Sequence, residues 1–348
     1  MPASLMLRYG HHHWSDAMTI RLLIASVMMC VSTVTYAANK HVLTVYTYDS
    51  FTSEWGPGPA IEIAFERQCN CDLQFVGLDS SLGILSRVQI EGENSKADIV
   101  LGLDTNLTEV ARKTGLFTPH GSARKANALP VPFEDDIFMP FDWSAFAFIY
   151  DTERMATPPA SFAELLALPD DVKIAIQDPR TSTPGLGLML WMKSLYGDNA
   201  PAAWAELNPK ILTVTKSWWD AYSLFLEGEA DMVLSYTTSP AYHVIAEGKT
   251  NYAAAEFSEG HYLQIEVAAM LKNASEPVLA AEFMDFIQTA DFQSVIPTTN
   301  WMYPVSKAAV PAEFADLIQP ERHYLFDGAE VAANQKAWVA EWLEASTQ

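Results

Sequence analysis

The sequence predicts α/β lobes with largely parallel sheets, and three observations lead there. A unit of strand, short hydroxyl- or Asp-bearing turn and helix recurs along the chain, the alternation that builds parallel sheets covered by helices. Its 348 residues leave room for one large domain or two lobes. Two long apolar segments, 141–150 and 262–268, suit strands that cross from one lobe to the other and back.

Residues 42–48 alternate and are rich in β-branched and aromatic side chains, which makes them a strand. It ends in Tyr48-Asp49-Ser50-Phe51 and passes through Trp55-Gly56-Pro57-Gly58-Pro59 into a helix over 60–68. A second strand over 73–76 leads through Leu78-Asp79-Ser80-Ser81 into a helix to about residue 90. A third covers 98–103, and Asp104 is placed to cap a helix that stops at Gly115. After the first crossing strand come strands at 174–176, 211–215 and 231–236. Ser217-Trp218-Trp219-Asp220 has the form of a capping box before a helix ending at Gly228. Thr237-Thr238-Ser239-Pro240 starts another helix with Ser239 as its cap. Beyond the second crossing strand the chain reads as mostly helical, interrupted at 296–304.

The stretch 173–191, KIAIQDPRTSTPGLGLMLW, is the plan's clearest instance. A short buried strand breaks into a polar turn. Apolar spacing then turns helical over 186–196, with Ser182 or Thr183 as the cap and Pro184 at the first helical position. Free N–H groups and hydroxyls gather at such a point, which suits a phosphate. The spacing of a nucleotide-binding P-loop is absent.

The first residues read as a targeting segment. Met18 to Arg21 is a positive n-region, residues 22–34 an apolar h-region and Thr35-Tyr36-Ala37 a small-residue cleavage site. Residues 1–17, with His11-His12-His13, are expected to be a mis-assigned start or a tail. Removing 1–37 leaves 311 residues with 19 basic and 42 acidic side chains, a charge of −23. Such a chain repels nucleic acid and anionic lipid and attracts cations. Two cysteines remain, Cys69 and Cys71, and in an oxidising compartment an even count points to a local disulfide.

Several strand ends carry an aromatic, hydroxyl or carboxylate side chain: Tyr48 with Asp49, Asp79 with Ser80 and Ser81, Ser182 with Thr183, Trp218 with Asp220, and Tyr236 with Ser239. Ligands of α/β sheets sit beyond such ends. Rings there, together with Trp55, Tyr242 and Trp301, suit a flat cationic ligand, since a ring face attracts a cation by about 0.5–2 kcal/mol. Adjacent Trp218 and Trp219 point in different directions, so both are not expected to face one pocket equally. Catalytic signals are weak. No Gly-x-Ser-x-Gly, His-Glu-x-x-His or Gly-x-Gly-x-x-Gly pattern is present. His243 and His261 have no evident nucleophile partner and read as structural or solvent-facing. Glu266 reads as a buried charge near the cleft, its partner illegible.

The segments VLTVYTYDSF (42–51), WGPGPA (55–60), CNCDL (69–73), NSKADIVLGLD (94–104), QDPRTSTPGLGL (177–188), VLSYTTSPAYH (233–243) and NWMYPV (300–305) carry a specific resemblance. They resemble the periplasmic thiamine-binding proteins of Gram-negative bacteria, over nearly all of the chain from about Val42 to Trp342. The resemblance implies a two-lobed type II periplasmic binding-protein fold with a cleft between lobes joined by crossing strands. It implies one lobe over 38–143, a second over 144–262 and a return to the first over 263–348. It also implies a monomeric carrier, without cofactor or metal, that delivers thiamine, thiamine monophosphate or thiamine diphosphate to an ABC permease. By the same resemblance, phosphate meets Ser182-Thr183 and Ser80-Ser81, where this chain departs from the family's Asp-Gly pair. Aromatic contacts fall to Trp218, Tyr242, Tyr48, Trp55 and Trp301, and the turn Tyr236-Thr237-Thr238-Ser239 lines the site. The alternatives are a ferric-ion or other anion carrier of the same fold, and a thiamine-degrading transferase. Iron carriers typically use an adjacent tyrosine pair, which this sequence lacks. The transferase needs a cysteine nucleophile, and Cys69 and Cys71 before a strand are poor candidates.

Overall fold

A computed structural model describes residues 40–347. The expected targeting segment and its cleavage site lie outside the described residues. Twelve strands form one sheet system: β1 (Val42–Tyr48), β2 (Asp72–Leu78), β3 (Ile99–Asp104), β4 (Phe117–Thr118), β5 (Met139–Asp151), β6 (Ile174–Gln177), β7 (Ile211–Thr215), β8 (Met232–Tyr236), β9 (Tyr252–Ala254), β10 (His261–Leu271), β11 (Tyr303–Pro304) and β12 (His323–Tyr324). The order along the sheet is β2-β1-β3-β10-β5-β8-β6-β7. β1 pairs in parallel with β2 and β3, and β6 in parallel with β7 and β8. The long strands β5 and β10 run antiparallel to each other and to these two parallel groups, joining them. β5 pairs with β10 over 139–145 and turns to β8 from Phe146 onward.

The helix Thr183–Tyr196 shows why the interior is shared. Every residue from Thr183 to Lys193 is buried, as a helix apolar all round requires. Its Trp191 is fully buried against Phe162 and Phe257, and the indole N–H donates to the Gly260 carbonyl at 3.1 Å. Truncating such a side chain to alanine costs about 3–5 kcal/mol. Gly185 lets the start of this helix settle onto the end of β6, because a Cβ there would collide with the backbone carbonyls of Gln177 and Asp178.

The local expectations hold in outline and fail at particular caps. Asp104 does not cap the following helix, Thr108–Lys113, whose cap position is Leu107. The Asp104 carboxylate instead accepts from the Asn106 backbone N–H at 3.1 Å and its side-chain amide at 2.9 Å, in a fully buried turn. Ser239 is the first residue of a four-residue helix, with Thr238 at the cap; its hydroxyl turns back to the Tyr236 N–H and the Ser235 hydroxyl. Ser182 holds the cap position of the long helix but makes no capping hydrogen bond, and Pro184 is its second residue. Ser217 behaves as expected, accepting from the Asp220 N–H at 3.2 Å. The chain beyond β10 is less helical than the sequence suggests: between Pro304 and the last helix, Gly328–Ser346, lie turns, one 3-10 turn and β12. Helix Gly58–Cys69 ends on Asn70 in the left-handed region (φ 51°), and Cys69 and Cys71 are joined by a disulfide with Cα atoms 5.1 Å apart.

Candidate functional site

The turns after β1, β2, β6, β7 and β8 converge with a segment of β10 and the stretch 298–302 on one cavity of about 410 Å³. Each turn delivers what its strand end carries. β1 brings Tyr48; Asp49, Ser50 and Trp55 follow. β2 leads to Asp79, Ser80 and Ser81, and β6 to Ser182 and Thr183. Past β7 stand Trp218, Trp219 and Tyr222; β8 brings Tyr236 and, beyond it, Ser239 and Tyr242. Glu266 and Trp301 complete opposite stretches of chain. All the residues singled out for the ligand line this cavity except Thr237 and Thr238. Those two are buried beneath it, where the Ser144 hydroxyl meets Thr238 Oγ1 at 3.0 Å and Thr237 Oγ1 at 3.3 Å. The turn therefore offers Tyr236 and Ser239 to the cavity and keeps its threonines for the sheet.

The hydroxyl corner is built from two elements facing each other. Thr183 Oγ1 donates to Ser81 Oγ at 3.3 Å, and the Leu82 N–H donates to the Thr181 carbonyl. Ser80 caps its own helix, Ser81–Glu91, by accepting from the Gly83 N–H. The Ser182 side chain has no such duty. Beside this corner Lys216 Nζ holds Asp79 at 2.7 Å, an exposed pair that screening keeps weak.

The aromatic side is braced from behind. Trp218 stacks on Tyr222 (centroids 4.9 Å, planes 23° apart), and its indole N–H donates to Ser235 Oγ at 2.8 Å. The Tyr222 hydroxyl is paired with His243 Nε2 at 2.8 Å, and His243 Nδ1 with Glu247 at 2.7 Å, so His243 is buried and structural rather than solvent-facing. Burial lowers the His243 pKa. Trp219 does reach the cavity, at its mouth, where it is 40% exposed and sits 5.3 Å from Trp55. Trp301 has φ 56°, a strained conformation for a large side chain, costing about 1–3 kcal/mol. It is held there by its N–H on the Ile296 carbonyl and by edge-on contact with Tyr242 at 5.3 Å. Gly102, at φ 104°, makes room for Tyr48: a Cβ there would strike the Tyr48 ring.

On the floor, Glu266 is the buried charge near the cleft that the sequence suggests, but its partner was illegible there. Glu266 on β10 stands directly opposite Asp142 on β5. Tyr48 donates its hydroxyl to Glu266 Oε2 at 3.0 Å, and Asn300 Nδ2 reaches Asp142 Oδ2 at 2.6 Å and the Tyr48 oxygen at 3.0 Å. Burial pushes the Asp142 carboxyl up to about 7, and burial with the facing Asp142 raises Glu266 well above the carboxylate range. The two therefore share a proton. Burial and the neighbouring Glu266 also raise the phenols of Tyr48 and Tyr236, keeping them neutral. Asn300 opens the segment NWMYPV, but only convergence in space gives it a role here, and no motif carries Asp142 or Tyr222.

Two parallel groups of strands bridged by long antiparallel strands, with a cavity at the carboxyl ends, define the two-lobed type II class of solute-binding proteins. A family profile described as bacterial extracellular solute-binding protein matches residues 55–294, and the chain belongs to that family. It is 54% identical to the thiamine-binding periplasmic protein of Escherichia coli (strain K12), over 88% of this chain and 94% of that one. To the protein of the same name from Brucella melitensis it is 48% identical, over 94% and 99%. A solved periplasmic thiamin binding protein superposes with a TM-score of 0.87 at 53% identity, covering 89% of this chain and 97% of the other. The apo ferric ion-binding protein A of Pasteurella haemolytica shares the fold at 17% identity and a TM-score of 0.72.

Proposed function

We propose that this chain is a monomeric periplasmic carrier that captures thiamine and its phosphate esters and passes them to an ABC permease. The observation that carries the reading is a single cavity joining a braced aromatic wall to an uncharged hydroxyl corner. Its lining holds Asp49, Asp79 and Glu266 and no Lys, Arg or His. Rings and carboxylates favour the thiazolium cation, while the hydroxyls and N–H groups of the corner suit a phosphate without adding charge. The high identity to thiamine-binding relatives supports the same ligand. On this reading 38–143 and 263–348 form one lobe and 144–262 the other, with β5 and β10 crossing between them.

A ferric carrier fits less well. Ferric ion wants ionised oxygen ligands, and the buried phenols of Tyr48 and Tyr236 are held neutral. Among the described residues no cluster of three or more His, Cys, Asp or Glu side chains is disposed to hold a metal. A thiamine-degrading transferase fits less well too, because Cys69 and Cys71 are disulfide-bonded and do not line the cavity. The test is native mass spectrometry of the protein as purified, followed by calorimetric titration of the stripped protein. A retained mass of thiamine or an ester, and saturable heat with thiamine, are expected; absence of both refutes the reading.

A further inference from the structure

Of the three carboxyls that line the cavity, two are spoken for by solvent. Asp49 and Asp79 are exposed, and Asp79 also holds Lys216. Glu266 is 4% exposed. Its Oε2 takes the Tyr48 hydroxyl, with the Asn300 amide at the edge of reach at 3.5 Å, and apart from the proton shared with Asp142 no donor among the described residues reaches Oε1. The facing Asp142 is fully buried and outside the lining, so Glu266 alone of the pair meets the cavity. With the proton of the pair on Asp142, Glu266 is a buried acceptor that opens on the cavity and needs a donor from the ligand.

Thiamine supplies few donors. The thiazolium nitrogen is quaternary and carries no hydrogen. The hydroxyl of the side chain disappears on phosphorylation. The exocyclic amine of the aminopyrimidine is then the one N–H donor that thiamine and its esters share. Resting on the thiamine reading above, we propose that the Glu266 carboxyl accepts a hydrogen bond from that amine. Glu266 thereby selects an amino over an oxo group at that ring position. Asn300 and Tyr48 are its positioning residues: they hold Oε2, and Gly102 leaves the Tyr48 ring the room to do so. An oxo group would set acceptor against acceptor in a dry site, where water cannot repair the mismatch.

The experiment compares thiamine with oxythiamine, in which an oxo group replaces the amine, by calorimetry on ligand-stripped protein. The unmutated protein is expected to prefer thiamine by at least about tenfold, equivalent to about 1.4 kcal/mol. Glu266→Leu should lose affinity for thiamine and most of that preference. Glu266→Gln, nearly isosteric, should narrow the preference because its amide can present either a donor or an acceptor. It carries the test if the leucine variant does not fold, as judged by its melting curve. A preference unchanged in both variants overturns the proposal. Equal losses for the two ligands also overturn it, since they place Glu266 against the thiazolium. An unmutated protein that binds thiamine and oxythiamine equally refutes the proposal alone, whereas one that binds neither refutes the thiamine reading beneath it.

Discussion

Trp218→Ala is the perturbation that bears most directly on how a ligand is held. The ring already has one face on Tyr222 and its N–H on Ser235, so it stands fixed before any ligand arrives. A ligand stacked on the remaining face covers roughly 60–80 Å² of apolar ring, which at about 25 cal/mol per Å² contributes about 1.5–2 kcal/mol. Cation–π attraction adds about 0.5–2 kcal/mol. The expected loss is therefore about 2–4 kcal/mol, or about 30- to 1000-fold in Kd. Trp218→Phe keeps a smaller ring face and forfeits the hydrogen bond to Ser235, so its loss should be the lesser of the two, about 1–2 kcal/mol. The fold should survive both changes, because Trp218 packs at the margin of the small cluster around Tyr222 and Phe225 rather than at its centre. Calorimetric titration of stripped protein with thiamine, alongside circular dichroism, decides the matter. A folded Trp218→Ala protein with wild-type affinity removes Trp218 from the site.

Ser182→Ala with Thr183→Val should weaken thiamine monophosphate by more than thiamine, since hydrogen bonds to a charged group contribute about 1.5–3 kcal/mol each; equal losses would reduce the two hydroxyls to structural roles. Cys69 and Cys71 should give no free thiol in unreduced, denatured protein treated with a maleimide, and two labels would break the assigned disulfide. Asp142 has a folded pKa raised from 3.8 to about 7, so the native state binds its proton more tightly than the unfolded chain. Its contribution to stability is present below about pH 4 and fades as pH rises to about 7. Asp142→Asn should therefore flatten the fall in melting temperature between about pH 4 and pH 7, and an unchanged slope would contradict the assignment.

Much of the site can be read from the sequence because it is built from strand ends. A strand running into hydroxyls and then a helix, as at 174–186, fixes where N–H groups and side-chain oxygens emerge, and that geometry is local. Tyr48, Ser80, Ser182, Trp218 and Tyr236 each follow or end a strand and reach the cavity for that reason. The same logic misplaced Asp104 and Ser239. Both residue types cap helices by propensity, yet each found a closer partner: Asp104 in Asn106, Ser239 in the Tyr236 N–H. Thr237 and Thr238 were drawn into the site by adjacency, but the pairing of β8 with β5 gives them Ser144 instead.

By itself the sequence determined the alternation of strand and helix, the two long crossing strands, the acidic charge and the rings at the strand ends. Those are properties of composition and of neighbours a few residues apart. Tertiary structure alone decided the cavity floor. Tyr48 and Glu266 lie 218 residues apart and Tyr48 and Asn300 252 apart, and Glu266 faces Asp142 only because of the register between β10 and β5. A one-residue slip in that register would turn either side chain to the other face of the sheet. Whether two carboxyls share a proton, and whether one of them meets a ligand, depends on burial and on distances of about 3 Å, which periodicity along a chain does not encode.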